Sequence, residues 1–201
     1  MIGIIDLNCC NIGSVQNMLN YLNIDNKVVI KREELKNVKK LILPGLGSFD
    51  YAIENFHALN LFNEVKHKVL NEKIPILGIC LGMQLLAKKS EEGNLEGLGF
   101  FNVRVKKFIK KTENDLIPHM GWNTCHLKKK SQLFEDFSEE SKYYFVHSYY
   151  IPLNENTVTS TNYIEEFSSS ISSDNIHGVQ FHPEKSHKYG MRILENFSKY
   201  A

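Results

Sequence analysis

Gly78-Ile-Cys-Leu-Gly82 sets one thiol between two glycines at the end of the apolar run Ile74 to Ile79. An apolar run, a sharp turn and a helix-like stretch, in that order, describe a strand, an apex and a helix with Cys80 at the apex. Little side-chain bulk fits beside so tight a turn, which suits a glycine two residues to each side. The apex side chain is pushed clear of the sheet, where a substrate can reach it. A helix N-terminus beside the sulfur favours the thiolate, the nucleophilic form. The chemistry expected of this segment is covalent attack by sulfur.

A nucleophilic cysteine needs a base, and the base needs a group to orient it. Among eight histidines, His182 is the most suggestive, in Gly178-Val-Gln-Phe-His-Pro-Glu-Lys-Ser186. An apolar strand ends there, and Glu184 follows two residues on, across a proline that fixes the backbone. In extended geometry residues i and i+2 project to one side, so a carboxylate can hold one imidazole nitrogen and leave the other facing Cys80. His119 and His147 also lie near aromatic, strand-like segments, and chemistry alone would let either serve as the base. Thioester formation puts negative charge on a carbonyl oxygen, which calls for fixed main-chain donors. The N–H of Leu81 is one natural donor. The loop Leu43-Pro-Gly-Leu-Gly47 has the glycines to bring a second one close. Cys125-His126 with Cys9-Cys10 fits no defensible metal-ligand spacing. Lys128-Lys-Lys130 reads as a solvated turn.

These groups need a frame. Ile2 to Asp6, Lys27 to Ile30, Lys40 to Leu43 and Ile74 to Ile79 read as strands. Val15, Met18, Leu19 and Leu22 mark a helix face at i, i+3, i+4, i+7. Ser48 reads as the cap of a helix through about Asn55, and Leu59 to Leu70 reads as another helix. This alternation predicts an α/β fold, a central mostly parallel sheet flanked by helices. Open sheets of that kind place their sites at the carboxyl ends of strands. Gly93, Gly97 and Gly99 mark a loop after the helix that follows Cys80. Beyond it, Phe101 to Val105, Lys142 to Tyr150, Thr157 to Tyr163, Ser169 to Ser172 and Ile176 to Phe181 read as strands. Ser186 or His187 opens a last helix, with Gly190, Ile193, Leu194, Phe197 and Ala201 on one side. No linker or repeat interrupts residues 1–201, so one domain is expected.

The 201 residues are 42% hydrophobic and 23% charged, with a net charge of +1. That balance suits a globular domain and gives no footprint for nucleic acid or a membrane surface. The longest apolar runs are too short to span a bilayer. The N-terminus turns acidic at once and reads as a first strand, not a signal peptide. Cys9, Cys10, Cys80 and Cys125 suggest neither a disulfide pairing nor a metal knuckle, which predicts a reducing cytoplasm.

The chain resembles the class I, triad-type glutamine amidotransferases. Gly-Ile-Cys80-Leu-Gly-Met-Gln84 and His182-Pro-Glu184 match that family's two signature segments. More narrowly it is similar to the glutaminase subunits of imidazole glycerol phosphate synthases, through Leu43-Pro-Gly-Leu-Gly-Ser-Phe49, Pro118-His-Met-Gly-Trp-Asn123, Tyr144-Phe-Val-His-Ser-Tyr149 and Gly178 to Ser186. The resemblance spans nearly the whole chain. It implies that Cys80 attacks the side-chain amide of L-glutamine, His182 shuttles the proton and Glu184 orients it. It also implies oxyanion donors at Gly47 and Leu81, with Gln84, Ser148 and Tyr149 around the substrate. It implies no cofactor or metal. Ammonia would pass to a (βα)8-barrel cyclase in a heterodimer, with Asn11, Trp122, Tyr144 and Lys185 at the interface, for histidine synthesis.

One segment departs from the family pattern. The usual Asp-Tyr-Gly-x-Gly-Asn reads Asp6-Leu-Asn-Cys-Cys-Asn11 here, and two lost glycines change a loop's options. The alternative this raises is the same glutaminase chemistry serving another ammonia-accepting synthase, such as a sugar amidotransferase of surface-polysaccharide synthesis. A cysteine hydrolase without a partner and a scaffold without activity are two further readings. The intact Cys80, His182 and Glu184 weigh against the scaffold. Pro118 to Asn123 with Lys185 resembles a docking surface more than a peptide cleft.

Overall fold

A computed structural model describes residues 1–8 and 11–200. Strands and helices alternate through the first half: β1 (Ile2–Ile5), α1 (Ile12–Tyr21), β2 (Asn26–Val29), β3 (Lys40–Gly45), α2 (Phe49–Ala58), α3 (Phe62–Leu70), β4 (Ile76–Cys80) and the short α4 (Leu81–Leu85). Strands dominate the second half: β5 (Ala87–Ser90), β6 (Phe101–Lys107), β7 (His119–Thr124), β8 (His126–Leu127), β9 (Lys142–His147), β10 (Tyr149–Tyr150), β11 (Thr157–Asn162), β12 (Glu166–Ser173) and β13 (Ile176–Val179). The chain then runs into α5 (His187–Tyr200). Among the described residues no helix is long and apolar enough to cross a membrane.

Eight strands form one sheet in the order β2-β1-β3-β4-β13-β12-β11-β8. Pairing is parallel from β2 to β13 and antiparallel from β13 out to β8. The parallel half is buried on both faces, which is why β1 and β4 are continuous apolar runs. One face packs Leu41, Leu43 and Ile76 against Phe49, Phe56 and Val65 of α2 and α3. The other packs Ile42, Leu77 and Ile79 with Val15 and Leu19 of α1 and Ile193, Leu194 and Phe197 of α5. A three-stranded sheet, β10-β6-β5, and the β7-β9 ribbon complete the fold.

Several expectations change in detail. The single strand expected over Lys142 to Tyr150 breaks at Ser148, because β9 pairs with β7 while β10 pairs with β6. The helix after Cys80 is only five residues long and gives way to β5. Ala87-Lys-Lys-Ser90 carries little β-propensity of its own and is strand because Ser90 and Ala87 pair with Val105 and Phe101. Ser48 precedes α2, but its side chain makes no cap. The Glu92 carboxylate takes that place, accepting from the Phe49 N–H at 2.9 Å. Gly190, Ile193, Leu194 and Phe197 are buried on α5 as expected. Cys9, Cys10 and Ala201 lie outside the described residues, and with the two cysteines goes the centre of the divergent loop.

The two glycines of the elbow are explained by close approach. A Cβ on Gly78 would stand 2.6 Å from the Gly82 carbonyl oxygen, and one on Gly82 would fall on the carbonyl of Leu43. The start of α4 is thus folded back tightly on β4 and β3. Gly82→Ala is expected to lower the free energy of unfolding by about 1–3 kcal/mol, the cost of overpacking. A urea titration reads it, and an unchanged midpoint would contradict the close approach.

Candidate active site

Cys80 ends β4 with φ 55° and ψ −112°, a left-handed backbone that a non-glycine residue adopts only under constraint. The parallel pairing of Gly45 with Cys80 and the packed glycines supply that constraint. The sulfur is buried, 5% exposed. Gln180 Nε2 donates to it at 3.6 Å, and it lies 3.8 Å from the carbonyl oxygen of Val146. A five-residue helix has little dipole to offer, so the amide of Gln180 is the more direct polar support for negative charge on sulfur.

His182 follows β13 and opens the 3-10 turn Pro183–Lys185. Its Nδ1 is 2.7 Å from Glu184 Oε1, and both side chains are buried. The turn is laced to β9: the His182 N–H donates to the Tyr144 carbonyl at 2.9 Å, and Ser186 Oγ accepts from the Tyr144 N–H at 3.0 Å while donating to the His182 carbonyl at 2.6 Å. Nε2 is buried with no close hydrogen bond among the described residues. Burial works against a charge on this ring. The attraction of the Cys80 sulfur and then of Glu184 outweighs it and raises the pKa to about 10. The ring therefore holds its proton at neutral pH.

His119 and His147 are occupied elsewhere. His147 Nδ1 is 2.7 Å from the Tyr149 carbonyl, and its Nε2 is 2.9 Å from His119 Nδ1. His119 Nε2 is 3.2 Å from the amide nitrogen of Asn123. Burial pushes His119 down to about 4 and His147 down to about 3, with the neighbouring His119 adding to the effect on His147. Neither ring has a nitrogen left for proton transfer at Cys80.

Gly47, Cys80, Leu81, Gln84, Ser148 and Tyr149 line one cavity of about 260 Å³, together with Leu46, Glu92, Pro118, Val146 and His147. His182 and Glu184 are not in its wall. They border a narrow crevice with Asn11, Pro44 and Lys185 instead, so the sulfur faces the cavity while the imidazole stands on another side. Gly47 has φ +88°, open to glycine and strained for other residues. Gln84 spends both amide hydrogens inside the protein, on the Tyr149 carbonyl at 3.0 Å and on Gln180 Oε1 at 3.0 Å. A larger open groove of about 620 Å³, around Arg32, His57, Phe62 and Glu64, has no cysteine, serine or threonine among its described lining residues.

The family model of class-I glutamine amidotransferases matches residues 4–200. The chain belongs to that family. The imidazole glycerol phosphate synthase subunit HisH 2 of Methanococcus maripaludis is 48% identical, with both chains covered completely. The corresponding HisH subunit of Bacteroides thetaiotaomicron is 41% identical over 98% of this chain and 97% of its own. Among solved structures, a glutamine amidotransferase overlays on 98% of both chains at TM-score 0.74 and 18% identity. One from Thermotoga maritima overlays on 98% of this chain and 81% of its own at TM-score 0.66 and 19% identity.

This amidotransferase also gathers the four residues expected at an interface. Trp122 is 45% exposed, lies edge-on to Tyr144 at 5.9 Å and stacks on His187 at 5.1 Å. Lys185 Nζ sits 5.6 Å above the Tyr144 ring, and Asn11 shares the crevice with Lys185. Asn11 also caps α1, accepting from the Ser14 N–H at 3.4 Å. Cys125 is wholly buried, and burial raises its thiol to about 11. Among the described residues no group of three His, Cys, Asp or Glu side chains could hold a metal.

Sequence reasoning passed over two residues. Among the described residues Glu92 is the one carboxylate lining the cavity, and nothing in its local sequence marks it. Gln180 is fully buried between Val179 and Phe181, and a polar residue inside an apolar strand was its available signal.

The depressed His147 pKa has a stability consequence. The unfolded chain takes up a proton near the ordinary imidazole value that the folded chain refuses until about 3. This residue's contribution is therefore complete above about pH 6.5 and is lost at about 1.4 kcal/mol per pH unit as pH falls below it. His147→Asn should flatten the fall in stability by that slope, read by urea unfolding at two or more pH values on either side of the imidazole range.

Proposed function

We propose that this amidotransferase is the glutaminase subunit of an imidazole glycerol phosphate synthase, converting L-glutamine to glutamate and passing ammonia to a cyclase subunit for histidine biosynthesis. The observation that carries the chemistry is a strained, buried Cys80 that meets a substrate-sized cavity on one side and a Glu184-held His182 on another. The full-length similarity to synthase subunits supports the pathway over sugar amidation.

In this reading the Cys80 thiolate attacks the side-chain carbonyl carbon of glutamine. The resulting oxyanion is received by the main-chain N–H groups of Leu81 and Gly47. The protonated His182 gives its proton to the departing nitrogen, and ammonia leaves behind a glutamyl thioester. Water then adds to the thioester carbonyl as His182 takes a proton from it. The tetrahedral species collapses to glutamate, and sulfur leaves as thiolate beside a reprotonated His182. A raised His182 pKa suits this cycle, because the ring must begin as an acid.

Gln84, Ser148 and Tyr149 form the wall around the substrate. Glu92 is assigned to the α-ammonium group of glutamine. Burial, working against the Phe49 hydrogen bond, raises its carboxyl pKa, and a bound ammonium would oppose that shift by favouring the carboxylate. The partner is read as a (βα)8-barrel cyclase docked over Asn11, Trp122, Tyr144 and Lys185, in a cytoplasmic heterodimer. The crevice beside His182 is lined by two of those residues, Asn11 and Lys185, and is assigned as the side from which ammonia leaves.

The test is glutamate release by the chain purified with its cyclase. Cys80→Ala should abolish turnover by more than about a thousandfold, and labelling of Cys80 by a glutamine-shaped electrophile should disappear with it. Turnover that survives the substitution would refute the reading. Glu92→Gln should raise KM for glutamine about tenfold or more with kcat little changed, the loss of one charge-assisted bond. An unchanged KM would remove Glu92 from the subsite.

A further inference from the structure

His119 and His147, two of the buried histidines other than His182, are joined into a string of hydrogen bonds with a fixed direction. It starts at Asn123, whose amide cannot turn over. Its Oδ1 accepts from the Thr124 N–H at 2.8 Å, and its Nδ2 donates to the Asn162 carbonyl at 3.1 Å. The second hydrogen on that nitrogen points to His119 Nε2 at 3.2 Å, so this nitrogen must be the acceptor. His119 then carries its proton on Nδ1 and donates to His147 Nε2 at 2.9 Å. His147 in turn carries its proton on Nδ1 and donates to the Tyr149 carbonyl at 2.7 Å. Each link permits one tautomer, and the pair works only while both rings are neutral.

The string ends in the wall of the cavity. The Tyr149 carbonyl receives a second donor, Gln84 Nε2, at 3.0 Å. The Ser148 carbonyl is taken by the Phe108 N–H at 3.0 Å. Both carbonyls of the break between β9 and β10 are thereby tied inward, and Ser148 and Tyr149 line the cavity. Gln84 continues to Gln180, and Gln180 to the sulfur. Apolar side chains could fill the space of two imidazoles at lower desolvation cost. What they could not supply is the directed donor to Tyr149.

We propose that His119 and His147 are positioning residues of the glutamine subsite: locked as a pair of Nδ1–H tautomers from Asn123, they pin the Ser148–Tyr149 main chain that forms one wall of the pocket. The proposal rests on the glutaminase reading for its substrate, though the tautomers stand independently of it. Stacking of His119 on Tyr163 at 4.1 Å and on Phe145 at 4.7 Å holds the ring plane, and the tautomer sets the direction of donation.

The experiment compares His119→Phe and His119→Asn in the chain bound to its cyclase. Phenylalanine fills the space without a donor, whereas the asparagine amide can still donate toward His147. His119→Phe is expected to raise KM for glutamine about tenfold with kcat changed less than about threefold. Alkylation of Cys80 by iodoacetamide, which does not use the glutamine subsite, should stay within about twofold of the parent. His119→Asn should recover most of the KM. An unchanged KM in the phenylalanine variant, an equal loss of alkylation and glutamine turnover, or an asparagine variant as impaired as the phenylalanine one overturns the proposal.

Nitrogen-15 NMR of the unsubstituted chain decides the case even if a variant fails to fold. Both imidazoles must appear as Nδ1–H, the less common tautomer of free histidine, and an Nε2–H signal from either overturns the pairing. A parent complex that does not hydrolyse glutamine would instead sink the glutaminase reading, leaving the tautomer result to stand or fall separately.

Discussion

The strained turn at Cys80 is the constraint on which the rest of the molecule depends. A positive φ at a cysteine persists only where its surroundings leave no alternative. Here β3 and β4 run in register up to the Gly45–Cys80 pair, and α4 begins in contact with both strands because Gly78 and Gly82 lack side chains. The apolar sheet beneath is buried on both faces, so the strain rests on the best-packed part of the fold. From that apex the sulfur reaches a cavity on one side and the Gln180 amide below.

Burial acts on three histidines near this sulfur, with two outcomes. His147 and His119 lie among aromatic rings with only neutral groups for partners, so desolvation keeps them uncharged. His182 is just as enclosed, yet the sulfur and Glu184 reverse the effect. The field of a neighbouring charge, not depth, separates the charged ring from the two neutral ones. The same arithmetic explains why His182 and Glu184 sit so close: an imidazolium this deep is tolerable only with a carboxylate at 2.7 Å.

The site has two sides with different character. The cavity beside Gly47 and Glu92 holds the sulfur, and the crevice of His182, Asn11 and Lys185 shares Lys185 with the aromatic and cationic cluster of Tyr144 and Trp122. β9 joins them, since Tyr144 belongs to the surface while Val146 and His147 belong to the site.

The local geometry around Cys80 and His182 was written in the sequence. Gly78 to Gly82 and His182-Pro-Glu184 are short, and their geometry follows from glycine, proline and strand alternation over a few residues. The parallel half of the sheet was legible for the same reason, as each strand is a continuous apolar run. Other features depend on partners distant in the chain. β5 is a strand because of β6, the break at Ser148 exists because β9 and β10 pair with different strands, and Glu92 reaches the cavity by capping α2 from more than forty positions away. The choice among His119, His147 and His182 was likewise open to chemistry alone. What separates the three rings is which of their nitrogens find donors and acceptors inside the folded protein, because a buried imidazole takes its charge and tautomer from groups that only tertiary structure brings within reach.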